Sequence, residues 1–142
     1  MTLELLSGRW DEVGHLAAVV RIAVFVEEQR IPREEEWDEQ DLGSVHFVAV
    51  SGDGEPVGTA RLTEDAHIGR MAVLPEWRRN GVGRLLLEAA VETARGHGHS
   101  HVELSAQLQA AGFYEKLGFQ AYGEVYREVG IPHRRMRRPL GD

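Results

Sequence analysis

The stretch Arg78-Arg79-Asn80-Gly81-Val82-Gly83 lies between a predicted strand and a predicted helix. The strand is predicted over residues 67–74, before a proline, and the helix over residues 82–94, where apolar residues recur at helical spacing. The first turn of a helix presents N–H groups without intrahelical partners, and the helix dipole adds positive charge there. Because Gly81 and Gly83 carry no Cβ, an anion can approach this backbone closely. The sequence therefore predicts a phosphate site.

The residues around these glycines narrow the class of phosphate ligand. Arg78, Arg79 and Arg84 add positive potential. A Walker-type loop needs lysine and Ser/Thr after its last glycine, and a dinucleotide fingerprint needs three glycines; this loop has neither. The pattern Arg78-x-x-Gly81-x-Gly83 resembles the acetyl-CoA loop of the GNAT N-acetyltransferases.

A second motif supports the same resemblance. The stretch Ala111-Gly112-Phe113-Tyr114-Glu115-Lys116-Leu117-Gly118-Phe119 resembles the late helix of that family, whose tyrosine faces the acetyl thioester. Residues 24–32, Asp41 and the pattern Gly130-Ile131-Pro132-His133-x-x-Met136 look like the small bacterial ElaA and YjcF type of GNAT protein. The likeness spans nearly the whole chain, which is identified as a member of the family.

Composition limits the alternatives. A chain of 142 residues is long enough for one domain, predicted here as residues 1–142. It contains no cysteine, so no disulfide, cysteine nucleophile or thiolate metal site is expected. The net charge of −7 argues against nucleic-acid binding, and no apolar run reaches a membrane-spanning length. A cytoplasmic protein without a membrane partner is expected.

Periodicity and chain breakers predict the element order β-α-β-β-β-α-β-α-β-β. This order indicates an α/β (α+β) fold with a mixed, mostly antiparallel sheet, helices on both faces, and parallel strands at 67–74 and 101–106. The predicted strands cover residues 3–6, 45–50, 57–62, 67–74, 101–106, 119–128 and 133–139, and the predicted helices begin near residues 11, 82 and 108. The resemblance implies that the parallel strands splay apart and that pantetheine inserts between them.

The resemblance also assigns cofactor contacts residue by residue. Backbone groups of residues 71–73 would bind pantetheine, and amides of the glycine loop would bind the pyrophosphate of acetyl-CoA. Gln107 stands where many members have asparagine, and Tyr114 matches the tyrosine that protonates the coenzyme A sulfur. The full expected set is Met71, Ala72, Val73, Arg78, Arg79, Asn80, Gly81, Val82, Gly83, Arg84, Gln107 and Tyr114.

The acid and base assignments leave alternatives open. Tyr114 would be the general acid, but an aromatic residue at helical spacing beside Phe113 is also typical of a core. Glu28, Glu103 and His133 are candidate bases, although each residue type is more often structural, and an amine of low pKa needs no base. The resemblance places Glu28 and His133 on the acceptor side, where both could contact substrate.

Three charged or metal-ligating stretches have competing interpretations. The acidic segment 33–42 is either a solvated loop or helical turn pinned by Trp37, or an acidic lip that attracts cationic amines. The basic residues at 134–138 are interpreted as a solvated face. Histidines at 97, 99 and 101 alternate, but no carboxylate or cysteine beside them completes a ligand set, so no metal is predicted.

The sequence predicts an acetyl-CoA-dependent N-acetyltransferase that acts on a primary amine of a small molecule or peptide by direct attack in a ternary complex. The thioester is already activated, so no protein nucleophile is required. A non-catalytic acyl-CoA-binding or regulatory module is the alternative, and a thioesterase is a more distant one. Exposed edge strands would permit a homodimer.

Overall fold

A computed structural model describes residues 2–141 of the chain. The strands are β1 (Leu3–Gly8), β2 (Val45–Ser51), β3 (Pro56–Leu62), β4 (His67–Val73), β5 (His101–Gln107), β6 (Gln120–Glu128) and β7 (Ile131–Pro139). The helices are α1 (Trp10–Arg21), α2 (Arg33–Glu36), α3 (Gln40–Gly43), α4 (Val82–Gly96) and α5 (Ala111–Lys116). A π-helical segment, Ile22–Glu28, continues α1, and 3₁₀ turns cover Pro75–Trp77 and Leu108–Ala110.

All seven strands form one sheet in the order β1-β2-β3-β4-β5-β7-β6. Five of the six neighbouring pairs are antiparallel, and β4 and β5 are parallel because α4 crosses between them. The predicted order of the major elements and the mixed sheet are confirmed. The parallel pair lies at the centre of the sheet, and β7 is the strand placed out of sequence order, between β5 and β6.

Alternation along β2 places helices on both faces of the sheet. Val48 and Val50 pack in a cluster with residues of α1, whereas Phe47 and Ala49 belong to the larger core that contains the buried side of α4. Successive residues of a strand point to opposite faces, so the two helices cover opposite sides. The core-facing residues of α4 are Val82, Leu86, Leu87, Ala90, Val91 and Ala94.

The first helix differs from the sequence prediction in its last two turns. The Gln29 N–H donates to the Val24 carbonyl at 2.9 Å, which is the i→i−5 bond of a π-helix. The Ile31 N–H then bonds to the Phe25 carbonyl at 2.9 Å. Wider turns of this kind rotate the following side chains relative to α1, and they deliver Phe25 and Gln29 to the wall of a cavity.

The acidic segment 33–42 contains helical turns, as one of its interpretations expected, but buried charges, not Trp37, hold it in place. Glu36 and Asp41 are buried, at 8% and 0% exposure, whereas Trp37 is 42% exposed and cannot pin the segment. The segment is held by Arg21, which donates to both Asp41 carboxylate oxygens at 2.9 Å and also binds Glu36 through its carboxylate and its carbonyl. Two short helices, α2 and α3, form around this buried arginine.

Two strand arginines extend the same cluster. Arg61 donates to Asp38 at 2.7 Å and to Asp41 at 3.2 Å, and Arg70 donates to Asp38 at 3.1 Å and to the Glu36 carbonyl at 2.9 Å. The cluster therefore joins α1, the acidic segment, β3 and β4. Within residues 2–141, none of the helices has the length and apolar character needed to cross a bilayer.

Candidate active site

Strands β4 and β5 diverge where β4 contains one extra residue. Thr59 of β3 opposes Ala72 and Arg61 opposes Gly69, so two residues of β4 stand opposite Ala60. One of them, Arg70, has a φ of +47°, which is characteristic of a bulge. The pairing of β4 with β5 is confined to His67 with Glu103 and Ile68 with Leu104. Beyond the bulge the parallel strands separate and leave a cleft.

The alternation of hydrogen bonds along β4 determines which backbone groups face this cleft. The Leu74 N–H donates to the Val57 carbonyl at 2.9 Å, so the groups of Leu74 and, two residues earlier, Ala72 point toward β3. The groups of Val73 point the other way, into the cleft. Of the three residues predicted to bind pantetheine through their backbone, Ala72 therefore has its N–H and C=O used within the sheet.

The glycine loop at one end of the cleft presents free amides. Gly81 is the N-cap of α4 with a φ of +80°, and Arg79 also has a positive φ of +67°. No side chain of the described residues caps α4, and the first helical hydrogen bond is from the Leu85 N–H to the Gly81 carbonyl at 3.0 Å. The N–H groups of residues 82–84 are thus directed outward beside positive φ values, an arrangement typical of an anion site.

Arg78 is exposed, and its guanidinium is nevertheless held by hydrogen bonds within the protein. Its two terminal nitrogens donate to the two carboxylate oxygens of Glu28 at 2.9 and 2.7 Å, and its Nε donates to the Val73 carbonyl at 2.9 Å. The hydrogen bonds from Arg78 lower the pKa of Glu28. Glu28 therefore lies beside the glycine loop, outside the residues that line the central cavity, and its bonded carboxylate is poorly suited to act as a general base.

The other polar residues of the loop, Arg79, Asn80 and Arg84, are exposed. Arg84 pairs with Glu88 at 3.1 Å one helical turn away, and the Asn80 side-chain amide donates to the Arg78 carbonyl at 3.2 Å. Gly83 is half-buried and has room beside it, since a Cβ there would lie 3.5 Å from the Phe113 ring. The loop thus has side chains that can rearrange around a ligand and a backbone fixed by its turn.

A cavity of about 200 Å³ occupies the cleft between the diverging strands. Four of the residues predicted from the sequence line it: Met71, Gln107, Tyr114 and His133. The Tyr114 hydroxyl donates to the Met71 sulfur at 3.5 Å, and its ring makes edge contacts with Phe113 and Phe119. Burial raises the pKa of Tyr114 to about 12, so the phenol is protonated at neutral pH.

His133 lies on the opposite wall and is 6% exposed. Its Nδ1 is 2.7 Å from the Ile131 carbonyl oxygen, which can only accept, so Nδ1 carries the proton. In the neutral ring Nε2 is then the acceptor, and it makes no hydrogen bond with the described residues. The ring stacks on Tyr126 with centroids 6.0 Å apart. His133 is therefore held in one orientation with one nitrogen available.

The sequence analysis did not identify Gln29, which also lines the cavity. Gln107 donates to the Gln29 side-chain oxygen at 3.2 Å, and Gln109 donates to the Gln107 oxygen at 2.6 Å. This chain of amides connects the end of the π-helical segment to the end of β5. The stretch 24–32 that resembles the family contained Gln29, but only the π-helical geometry shows where its side chain points.

Glu103 and the three histidines lie away from the cavity. The Glu103 carboxylate accepts a hydrogen bond from Tyr122 and lies 3.4 Å from His101, and the bond from Tyr122 lowers its pKa. That geometry suits a structural carboxylate better than a base. Among residues 2–141, no group of three or more histidine, cysteine, aspartate or glutamate side chains is placed to hold a metal ion.

Known proteins resemble this chain in architecture and in sequence. The family model for the acetyltransferase (GNAT) domain matches residues 16–140. The Bacillus subtilis protein named as the uncharacterized N-acetyltransferase YjcF is 40% identical over 124 residues, covering 84% of this chain and 88% of that protein. An acyl-CoA N-acyltransferase from Pseudomonas aeruginosa superposes with a TM-score of 0.86 at 32% identity, covering 96% of this chain and 99% of that one. Escherichia coli ElaA superposes over the same shares with a TM-score of 0.85 at 32% identity. The chain belongs to the GNAT acetyltransferase family, several of whose members similar to it are named acetyltransferases or acyltransferases.

Proposed function

We propose that this protein transfers an acetyl group from acetyl-CoA to the primary amine of a small molecule. One observation carries the proposal: a single cleft has anion-binding amides at one end, an unpaired strand edge along its side and a protonated phenol at its centre. Acetyl-CoA has a pyrophosphate, a pantetheine with amide groups, and a thioester in the same order. The polar groups on the protein need such partners, so the residues present fit the cofactor.

The chain's residues hold the cofactor by complementary chemistry. Amides of residues 82–84 bind phosphate oxygens, and the cleft-facing backbone of Val73 pairs with pantetheine as a neighbouring strand would. The family tyrosine position is filled by Tyr114, and Gln107 presents a side-chain amide in the same cavity. When bound, acetyl-CoA supplies an activated thioester for acyl transfer.

Proton transfer is assigned to two side chains on opposite walls. The neutral amine forms the new C–N bond as the C–S bond breaks. Tyr114 gives its hydroxyl proton to the departing sulfur, and His133 Nε2 accepts a proton from the amine nitrogen, directly or through water. Glu28 is proposed instead to position Arg78. This replaces the base role expected from sequence, because the Glu28 carboxylate is already hydrogen bonded to a cation.

Calorimetric titration with acetyl-CoA tests the cofactor site. Replacing Gly81 by valine would place a Cβ on a residue with a φ of +80° and misplace the loop amides, so acetyl-CoA affinity should fall at least about tenfold. Gly54, in the β2–β3 turn, has a φ of +85° and equally open surroundings. Gly54→Val is therefore the matched control: both variants lose stability, about 1–2 kcal/mol, but only Gly81→Val should lose affinity.

Release of coenzyme A thiol across a panel of amines, in the same samples, tests the transfer itself. Amine-dependent release supports the transferase. Binding without release for any amine would favour the alternative, a non-catalytic acyl-CoA-binding module. Unchanged acetyl-CoA affinity in Gly81→Val would contradict the assignment of the loop.

A further inference from the structure

The residues that line the cavity differ in polarity between its buried floor and its exposed mouth. At the floor lie the apolar residues Ile68 and Leu104 and the polar His133, which is 6% exposed and has its Nε2 unpaired by any described residue. The middle wall is apolar and half-buried, formed by Phe25, Ile31 and Ile131. At the mouth, two exposed carboxylates line the cavity, Glu35 after the π-helical segment and Glu128 at the end of β6.

The charged residues that line the cavity differ in whether a salt bridge neutralises them. The two other charged residues that line the cavity are already neutralised, since Glu36 is bound by Arg21 and Arg70 by Asp38. No salt bridge engages Glu35 or Glu128 within residues 2–141. The mouth therefore has two uncompensated negative charges and no free cation among its lining residues. It attracts cations and repels carboxylates and phosphates.

We propose that the acceptor is a small aliphatic diamine, or a similar amine that carries a second ammonium group and no acidic group. The reacting amine lies at the floor beside His133, the aliphatic body contacts the apolar wall, and the distal ammonium lies between Glu35 and Glu128. A cavity of about 200 Å³ suits a molecule of this size. The inference rests on the proposed function for the identity of the second ligand, and it names the substrate class of that site.

The test compares three molecules that share a carbon chain. 1,5-Diaminopentane has both ammonium groups, pentylamine lacks the distal one, and free lysine adds a carboxylate to the diamine. Binding to the protein saturated with coenzyme A is measured by calorimetry, and kcat/KM is measured by thiol release from acetyl-CoA. The diamine should exceed each of the others by about five- to tenfold in both measurements, and added salt should reduce the difference.

Charge variants connect this selectivity to the two carboxylates. Glu35→Gln and Glu128→Gln should each weaken diamine binding about threefold, mainly through KM, and weaken pentylamine binding less, because pentylamine has no distal ammonium group. Glu34→Gln and Glu124→Gln are matched controls, because both residues are exposed neighbours that do not line the cavity. Neither control should change the preference.

The two readouts separate this inference from the proposed function. If amines release thiol but pentylamine or lysine reacts as well as the diamine, the diamine inference is overturned while the transferase stands. If no amine releases thiol but diamine binding still depends on Glu35 and Glu128, the inference stands and the transferase assignment fails. Equal effects of the cavity variants and their controls would also overturn it.

Discussion

Tyr114 is a protonated phenol held in apolar surroundings, where it can act as a weak acid. Among the described residues, its hydroxyl bonds only to the Met71 sulfur, at 3.5 Å, and burial raises its pKa to about 12. A thioether accepts weakly, so the phenol proton is not committed to a strong acceptor. A neutral phenol in these surroundings can give a proton to a thiolate that forms beside it.

Tyr114→Phe removes the proton and keeps the ring packing. We expect kcat to fall about 100-fold, which is the lower end for general acid catalysis, and acetyl-CoA affinity to stay within about twofold. Tyr122→Phe is the control, since Tyr122 binds Glu103 outside the cavity. A Tyr114→Phe enzyme with unchanged kcat would leave this residue as a core aromatic, the other interpretation of its sequence.

The raised pKa of Tyr114 also predicts how stability changes in alkali. The unfolded chain ionises tyrosine near its ordinary pKa of 10, whereas folded Tyr114 ionises near 12. The contribution of protonated Tyr114 to the free energy of unfolding is complete below pH 10 and is lost as the pH rises to 12. The free energy of unfolding should therefore fall more steeply between pH 10 and 12 in the native protein than in Tyr114→Phe, by on the order of 2 kcal/mol.

At the scale of elements, the acidic segment is fixed by charges that lie far apart in sequence. Arg21 on α1 meets Asp41 on α3, and Arg61 reaches the same carboxylate from β3. Burial alone would raise the pKa of Asp41, but the hydrogen bonds and charge of Arg21 outweigh it and lower that pKa. The segment therefore forms part of the cavity wall instead of a free loop.

Asp41→Asn tests this element. Removing the carboxylate leaves Arg21 buried with one charged partner fewer, so the free energy of unfolding should fall by about 3–5 kcal/mol in urea. Because the pKa of folded Asp41 is lowered, its contribution is present above pH 4 and is lost as the pH falls through the folded value. The exposed neighbour Glu39 is the control, and an equal loss in Glu39→Gln would contradict the buried network.

Sequence patterns predicted the helices and strands better than the irregularities within them, namely the π-helical turns and the β-bulge. The periodicity of α4 and the proline and glycine breakers identified strands and helices within a few residues. The π-helical turns after Arg21 and the bulge at Arg70 were not predicted, because neither the i→i−5 bonds of the first nor the strand register of the second follows from local residue preference. Gln29 and Glu128 enter the candidate site only through these features and through the hairpin of β6 and β7, so sequence alone did not identify them.

On the scale of the whole molecule, the sheet has two parts joined weakly at its centre. Strands β1 to β4 form one part and β5, β7 and β6 the other, and only two residue pairs connect them across β4 and β5. The glycine loop, Tyr114 and Gln107 flank that junction. The two motifs that carry the resemblance thus lie beside one cleft, and the cofactor contacts expected from them stay a prediction.

A ligand that pairs with β4 in the cleft should stabilise the entire fold. At acetyl-CoA concentrations about 100 times its Kd, linkage predicts about 2.7 kcal/mol, which corresponds to a rise in Tm of about 8 °C for a chain of this size. Differential scanning calorimetry measures the shift. The same rise in Gly81→Val would show that the stabilising ligand binds elsewhere.

The hydrogen bonds of Arg78 should affect the rate at which acetyl-CoA binds. Its Nε occupies the Val73 carbonyl that a pantetheine amide would use, and Glu28 holds the rest of its guanidinium. For acetyl-CoA to bind, we expect the hydrogen bond from Arg78 to the Val73 carbonyl to break before a pantetheine amide can replace it. The release of Arg78 can therefore set the association rate. In Glu28→Gln, Arg78 loses its charged partner and is held less firmly. Stopped-flow measurements should then show faster association of acetyl-CoA, with little change in the number of hydrogen bonds in the final complex.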